Sequence, residues 1–261
     1  MTEDFEEIMV FYTPPVLRFW EIDALRGVAI LMMITFHTVY DFDYFGVAAF
    51  SIDHGFWWAF ARLTALLFIV LVGLSLTISY AKASRRLSAG ALHRKFVWRG
   101  LTLLAWGTLI SAMTWMVIPK GTIVFGVLHF IGVGIILAYP LIPRLRLQLG
   151  LGVGCIAAGL LLQSVTVESS WLLWLGIRPE QFYTFDYFPL LPWFGVICLG
   201  MALGSLLYPQ GARRWPLPEW GNQPVVRLLA LMGKRSLFIY LVHQPVLIAV
   251  LWATGAITLT I

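Results

Sequence analysis

The sequence predicts an all-α fold: a polytopic membrane bundle of about seven transmembrane helices. Composition is the first reason. Of 261 residues, 60% are hydrophobic and only 12% are charged, whereas roughly a quarter of a soluble domain is charged. Mean hydropathy is +0.84. Second, the apolar residues gather into runs near the length of about 20 that a helix needs to cross a bilayer. Third, Lys and Arg fall on alternate connections between those runs, as the positive-inside rule requires.

Taken in order, the runs are 23–42, 56–80, 96–118, 122–142, 147–167, 187–208 and 236–257. A shorter run, "VVRLLALM" at 225–232, is too short to span and reads as an amphipathic interfacial segment. The opening "MTEDFEEI" is acidic and lacks the positive start of a cleavable signal, so the first apolar run is expected to stay in the protein. Cys155 and Cys198 both lie inside apolar runs and read as small core residues rather than a disulfide. The chain shows no soluble domain, low-complexity tract or visible internal repeat, so it reads as one domain.

With the N-terminus placed inside, only Arg62, Lys120 and Arg178 of the 18 basic residues fall in the outer half. This asymmetry predicts N-in and C-out topology. The net charge of +5 therefore reports topology, not nucleic-acid binding. The outer connections carry Asp41, Asp43, Asp53, Glu168, Glu180 and Asp186. The basic inner stretch 213–235 suits either a lipid-facing anchor or part of a site for an anionic cofactor. Trp57, Trp58, Trp171, Trp174 and Trp193 suit an interface belt.

The first run contains "RGVAILMMITFH". Successive helix residues turn by about 100°, so eleven steps bring His37 nearly under Arg26, roughly 16 Å further along. Asp23 and Asp41 fall on the same side, with Ile30 and Met33 between. An ionisable stripe at that depth is a functional-site candidate; the alternative is a neutral histidine bonded to a backbone carbonyl. His54 follows Asp53 at the mouth of the second span, and His129 and His243 lie inside the fourth and seventh. His93 sits in a basic inner loop and reads as solvated.

These residues also carry a resemblance. "RFWEIDALRGVAILMMITFH" resembles the opening of the heparan-α-glucosaminide N-acetyltransferase catalytic-domain family, within the wider transmembrane acyltransferase superfamily. The Arg, ten residues, His spacing is also that of the related membrane acyltransferase-3 family. "YFPLLPWFGVICLGMALG" (187–204) and "GKRSLFIYLVHQPVL" (233–247) are similar to small prokaryotic members. The resemblance implies a single transmembrane acyltransferase-like domain, 1–261, with residues 1–20 as a cytoplasmic tail. It implies transfer of an acyl group, typically acetyl, from acyl-CoA to an amine or hydroxyl of a sugar-like acceptor. In the lysosomal relatives the catalytic histidine lies in the loop after the first helix of the catalytic domain, where this chain has His54, and an Asn stands where this chain has His37. The two branches of the superfamily thus indicate different histidines.

Acyl transfer needs a base for the nucleophile and cations or donors for the developing oxyanion. The expected catalytic set is His37, His54, Asp41 and Asp53. Arg26, Arg99, Lys234 and Arg235 are expected to hold the phosphates of acetyl-CoA. Asp23, His129, Asp186 and His243 are further candidates. No metal or haem is expected; in a haem protein His37, His129 and His243 are the candidate axial ligands. The expected partners are the lipid bilayer, acyl-CoA and a carbohydrate-like acceptor, with a homo-oligomer compatible and nucleic acid excluded. The expected location is the cell membrane, as a multi-pass protein. The competing function is a proton-coupled small-molecule transporter using the intramembrane His/Asp stripe.

Overall fold

The computed structural model describes residues 18–257. Residues 1–17 of the expected cytoplasmic tail lie outside the described residues. The helices are α1 (Trp20–Tyr44), α2 (Gly55–Ala83), α3 (Ala89–Val117), α4 (Val127–Ala138), α5 (Leu145–Leu162), α6 (Leu190–Leu207), α7 (Pro224–Lys234) and α8 (Ser236–Ala253). Six of them, all but α4 and α7, are long and apolar enough to cross a membrane. The fold is a polytopic helical membrane bundle. All seven expected apolar spans are helices, and the short run at 225–232 is α7.

The helix ends depart from the expected runs at several places, and two of the departures have identifiable reasons. The fourth span was expected over 122–142, but its helix is only Val127–Ala138, extended by a 3-10 turn at Tyr139–Leu141. Its missing first turn is a structured connection. Thr184 Oγ1 donates to the Thr122 carbonyl at 2.7 Å, and the Phe188 amide donates to the Phe125 carbonyl at 3.0 Å. These long-range bonds take backbone groups that a helix would otherwise use. α3 instead starts seven residues before the expected 96, because Ser88 caps it by accepting from the Ala91 amide. His93, Arg94 and Lys95 are therefore helical rather than in a loop, and His93 is exposed as expected.

The chain divides into two compact units, residues 1–57 with 219–261, and residues 58–218. In the larger unit the core is built from Ile69, Leu76, Phe96, Phe130, Ile135, Ile197 and Met201. Backbones approach closely there through small residues, which is how helices associate without a hydrophobic drive between them. Gly73 of α2 faces the Ile197 carbonyl of α6, and Thr77 Oγ1 donates to the Met201 carbonyl at 3.1 Å. Gln148, fully buried on α5, donates to the carbonyls of Leu141 at 3.1 Å and Ile142 at 2.7 Å, holding the turn from α4. Cys155 and Cys198 are free thiols.

The smaller unit contains α1, α7 and α8. α7 is amphipathic, but it does not merely lie on a surface. Ala230 and Gly233 are buried, while Val225, Leu228 and Leu231 on its other side are exposed. Gly27 of α1 sits on the backbone of Leu229, and Gly233 of α7 sits on the carbonyl of Asp23. A Cβ at Gly233 would run into that carbonyl, and backbone cannot yield as a flexible side chain can. Gly233→Val is therefore expected to destabilise this unit by about 3 kcal/mol, the upper part of the overpacking range. Thermal unfolding in detergent measures it, and an unchanged Tm would refute the tight α1–α7 packing.

Candidate functional site

The continuous α1 realises the helical arithmetic of the first apolar run. Asp23, Ile30, Met33 and Asp41 are buried, so the face carrying the polar stripe is the face that packs. At its first turn Arg26 Nη1 donates to Asp23 Oδ1 at 2.9 Å. Arg18 adds a longer ion pair, 3.9 Å, to the other Asp23 oxygen. Asp23 is 5% exposed, so its charge needs these cations. The ideal Cβ position of Gly233 is 3.1 Å from Arg26 Cβ. Lys234 and Arg235 follow directly, at the α7–α8 junction, and both are exposed. Three of the four residues expected to hold phosphates therefore belong to one basic corner.

About eleven residues further along α1 lies a second polar group. The rings of His37 and His243 meet edge to face with centroids 4.8 Å apart. His37 Nδ1 lies 2.9 Å from the Met33 carbonyl, and His243 Nδ1 lies 2.6 Å from the Tyr240 carbonyl. A carbonyl only accepts, so each Nδ1 carries the hydrogen and each Nε2 keeps a lone pair. One turn beyond His37, Asp41 Oδ1 accepts from Gln244 Nε2 at 2.6 Å. Two consecutive residues of α8 thus face two residues one turn apart on α1. The carbonyl-bonded histidine weighed from the sequence is present, and it leaves Nε2 available for chemistry.

Gln244 carries no mark of a functional residue in the sequence. It lies in the stretch "YLVHQPVL", and its only local signal is being an amide in an apolar run beside a histidine. Its partner lies 203 residues away, which no periodicity can show.

The remaining candidates lie elsewhere. Asp53 and His54 are exposed in the turn before α2, with no hydrogen bond or ion pair among the described residues. Asp43 closes its own loop by accepting from the Phe50 amide at 2.8 Å. In the larger unit, Arg99 is exposed on α3. His129 stacks on Phe125 with centroids 5.8 Å apart, and its ring fills the space beside Gly107. Asp186 Oδ2 accepts from the Val127 amide at 2.8 Å, capping α4 from a distant loop. Asp186→Ala is expected to cost about 1 kcal/mol, the worth of a helix cap, read as a lower unfolding temperature with unchanged helix content.

Comparison with known proteins bears on this arrangement. Residues 18–245 match the family described as heparan-alpha-glucosaminide N-acetyltransferase, catalytic. No curated protein and no solved structure matches the chain significantly. The family match begins at the Arg18 that pairs with Asp23 and ends one residue beyond Gln244, so it contains both polar groups of α1 and α8. With its bundle of membrane-crossing helices, the chain belongs to the heparan-alpha-glucosaminide N-acetyltransferase catalytic family and is a multi-pass membrane acetyltransferase.

Proposed function

We propose that the protein moves an acetyl group from acetyl-CoA to an amine or hydroxyl of a sugar-like acceptor, with His37 as the base. The observation that carries this reading is the unbroken α1, which bears Arg26 and His37 on one face with the His243 ring against His37. The basic corner of Arg26, Lys234 and Arg235 fits the phosphates of acetyl-CoA, because guanidinium and ammonium groups pair with phosphate oxygens. Bound there, the cosubstrate supplies an acyl carbon already activated as a thioester. The acceptor's N–H or O–H proton passes to Nε2 of His37, and from there to the departing sulfur. The Met33 carbonyl orients the ring by holding Nδ1–H. His54 remains the competing base from the family resemblance, although it is exposed and joined to neither polar group of α1.

The same reading places the N-terminus in the cytoplasm and the protein in the cell membrane, on the segregation of Lys and Arg. It treats the chain as one functional domain, since the family match runs through both compact units. Isothermal titration with acetyl-CoA, followed by mass spectrometry of acetylated glucosamine, tests it. Saturable binding and acetyl transfer are expected. Proton-driven uptake of a small molecule in proteoliposomes, with no response to acetyl-CoA, would support the transporter reading instead.

A further inference from the structure

Three buried acceptor atoms on the α1–α8 contact have no hydrogen-bond partner among the described residues: Oδ2 of Asp41, Oε1 of Gln244 and Nε2 of His243. Their state follows from the bonds made by their companion atoms. The Tyr240 carbonyl holds the hydrogen on His243 Nδ1, so Nε2 is a bare lone pair. The Asp41 carboxylate draws the Gln244 amide nitrogen to 2.6 Å, which turns the amide oxygen away from it. Asp41 is only 2% exposed. Of the two touching imidazoles, only that of His243 has its Nε2 both enclosed and unpartnered. Buried polar atoms are nearly always satisfied. Three on one contact, all of them acceptors, call for a ligand that presents several hydrogens together.

Their position says which ligand. Asp41 lies one turn beyond His37 on the same face, and His243 touches His37. On the acyltransferase reading above, the group at that place is the acceptor whose nucleophile loses its proton to His37. We infer that Asp41, His243 and Gln244 form the recognition corner for that acceptor. They select an amino or hydroxy compound carrying further N–H or O–H donors beside its nucleophile. An acceptor without those donors would leave the three atoms unpaired, and sites built to hydrogen-bond a substrate reject analogues lacking its donors.

The test uses the full chain in detergent and two amine probes of similar ring size. Glucosamine carries hydroxyls next to its amine, and cyclohexylamine carries none. The variants are Gln244→Met and His243→Phe, which keep side-chain bulk and remove the acceptor atom. Wild type is expected to favour glucosamine by at least about 10-fold in kcat/KM counted on the unprotonated form of each amine, since a lost hydrogen bond costs roughly 1–3 kcal/mol. Each variant is expected to raise the glucosamine KM by about 10-fold, with kcat within about 3-fold and acetyl-CoA affinity unchanged. Glucosamine alone is expected to raise the Tm of wild type and not of the variants. Equal use of the two amines by wild type, or variants with the wild-type KM and the wild-type Tm response, would overturn the inference. Hydroxylamine separates the two levels, because it is small and already unprotonated at neutral pH. Acetyl transfer to hydroxylamine without selectivity among the amines removes the recognition corner alone. Failure to bind acetyl-CoA and to acetylate any of the three removes the acyltransferase reading and the corner with it.

Discussion

Replacing His37 by alanine is expected to lower kcat for acetyl transfer by at least about 100-fold, the lower end of what a general base contributes. The KM for acetyl-CoA should change little, because its phosphates are assigned to Arg26, eleven positions away on α1, and to Lys234 and Arg235 at the α7–α8 junction. His54→Ala is expected to stay within about 3-fold of wild type, since that side chain is exposed and joined to neither polar group. The distinction is geometric. His37 has a carbonyl fixing its tautomer and a second imidazole 4.8 Å away, and so sits in a preorganised environment. His54 has no such companion among the described residues. Steady-state kinetics of the two variants decide the matter. The reverse result, with His54→Ala inactive and His37→Ala active, would place the base in the loop and make the α1 stripe structural.

The second large effect concerns Arg26. Arg26→Met should weaken acetyl-CoA binding by about 10- to 100-fold, the worth of a charge-assisted hydrogen bond of roughly 1.5–3 kcal/mol. It should also destabilise the fold by about 3 kcal/mol, because Asp23 is left buried with, among the described residues, the longer 3.9 Å pair to the exposed Arg18 as its remaining balance. The two losses are separable. Asp23→Asn with Arg26→Met removes the stranded charge, so the double variant should regain most of the stability while binding stays weak. Calorimetric titration gives the affinity, and denaturant unfolding in detergent gives the stability. A double variant that recovers both would mean that Arg26 serves only the ion pair. The affinity of wild type should also fall as ionic strength rises, since the basic corner acts through charge on an exposed surface.

Seven apolar runs became helices, because the cost of leaving backbone polar groups unpaired in lipid forces such runs into helical form. The ends moved where local or distant polar groups intervened. Ser88 lengthened α3 through a cap three residues away. Thr184 and Asp186 shortened the fourth span from more than fifty residues away. The first kind of signal is visible in sequence, and the second is not. Asp186 illustrates the difference: from sequence it is an acid on an outer connection and a further site candidate, whereas its carboxylate accepts from the amide at the start of α4.

The stripe of Asp23, Arg26, His37 and Asp41 on one face of α1 required nothing beyond the amino-acid order. Helix geometry repeats every 3.6 residues, so spacing alone places side chains around the axis. The membrane class, the amphipathic segment and the family resemblance were equally local or compositional facts. The partners of the stripe were not. His243 and Gln244 meet His37 and Asp41 across about two hundred residues of chain. The α7–α8 junction meets Arg26 because Gly27 and Gly233 let two backbones approach where any side chain would hold them apart. Side-chain direction along one helix follows from covalent geometry. Which helix faces which follows from the packing of the assembled unit, and it is that packing which turned a face of polar residues into two distinct groups, one of cations and one of unpaired acceptors.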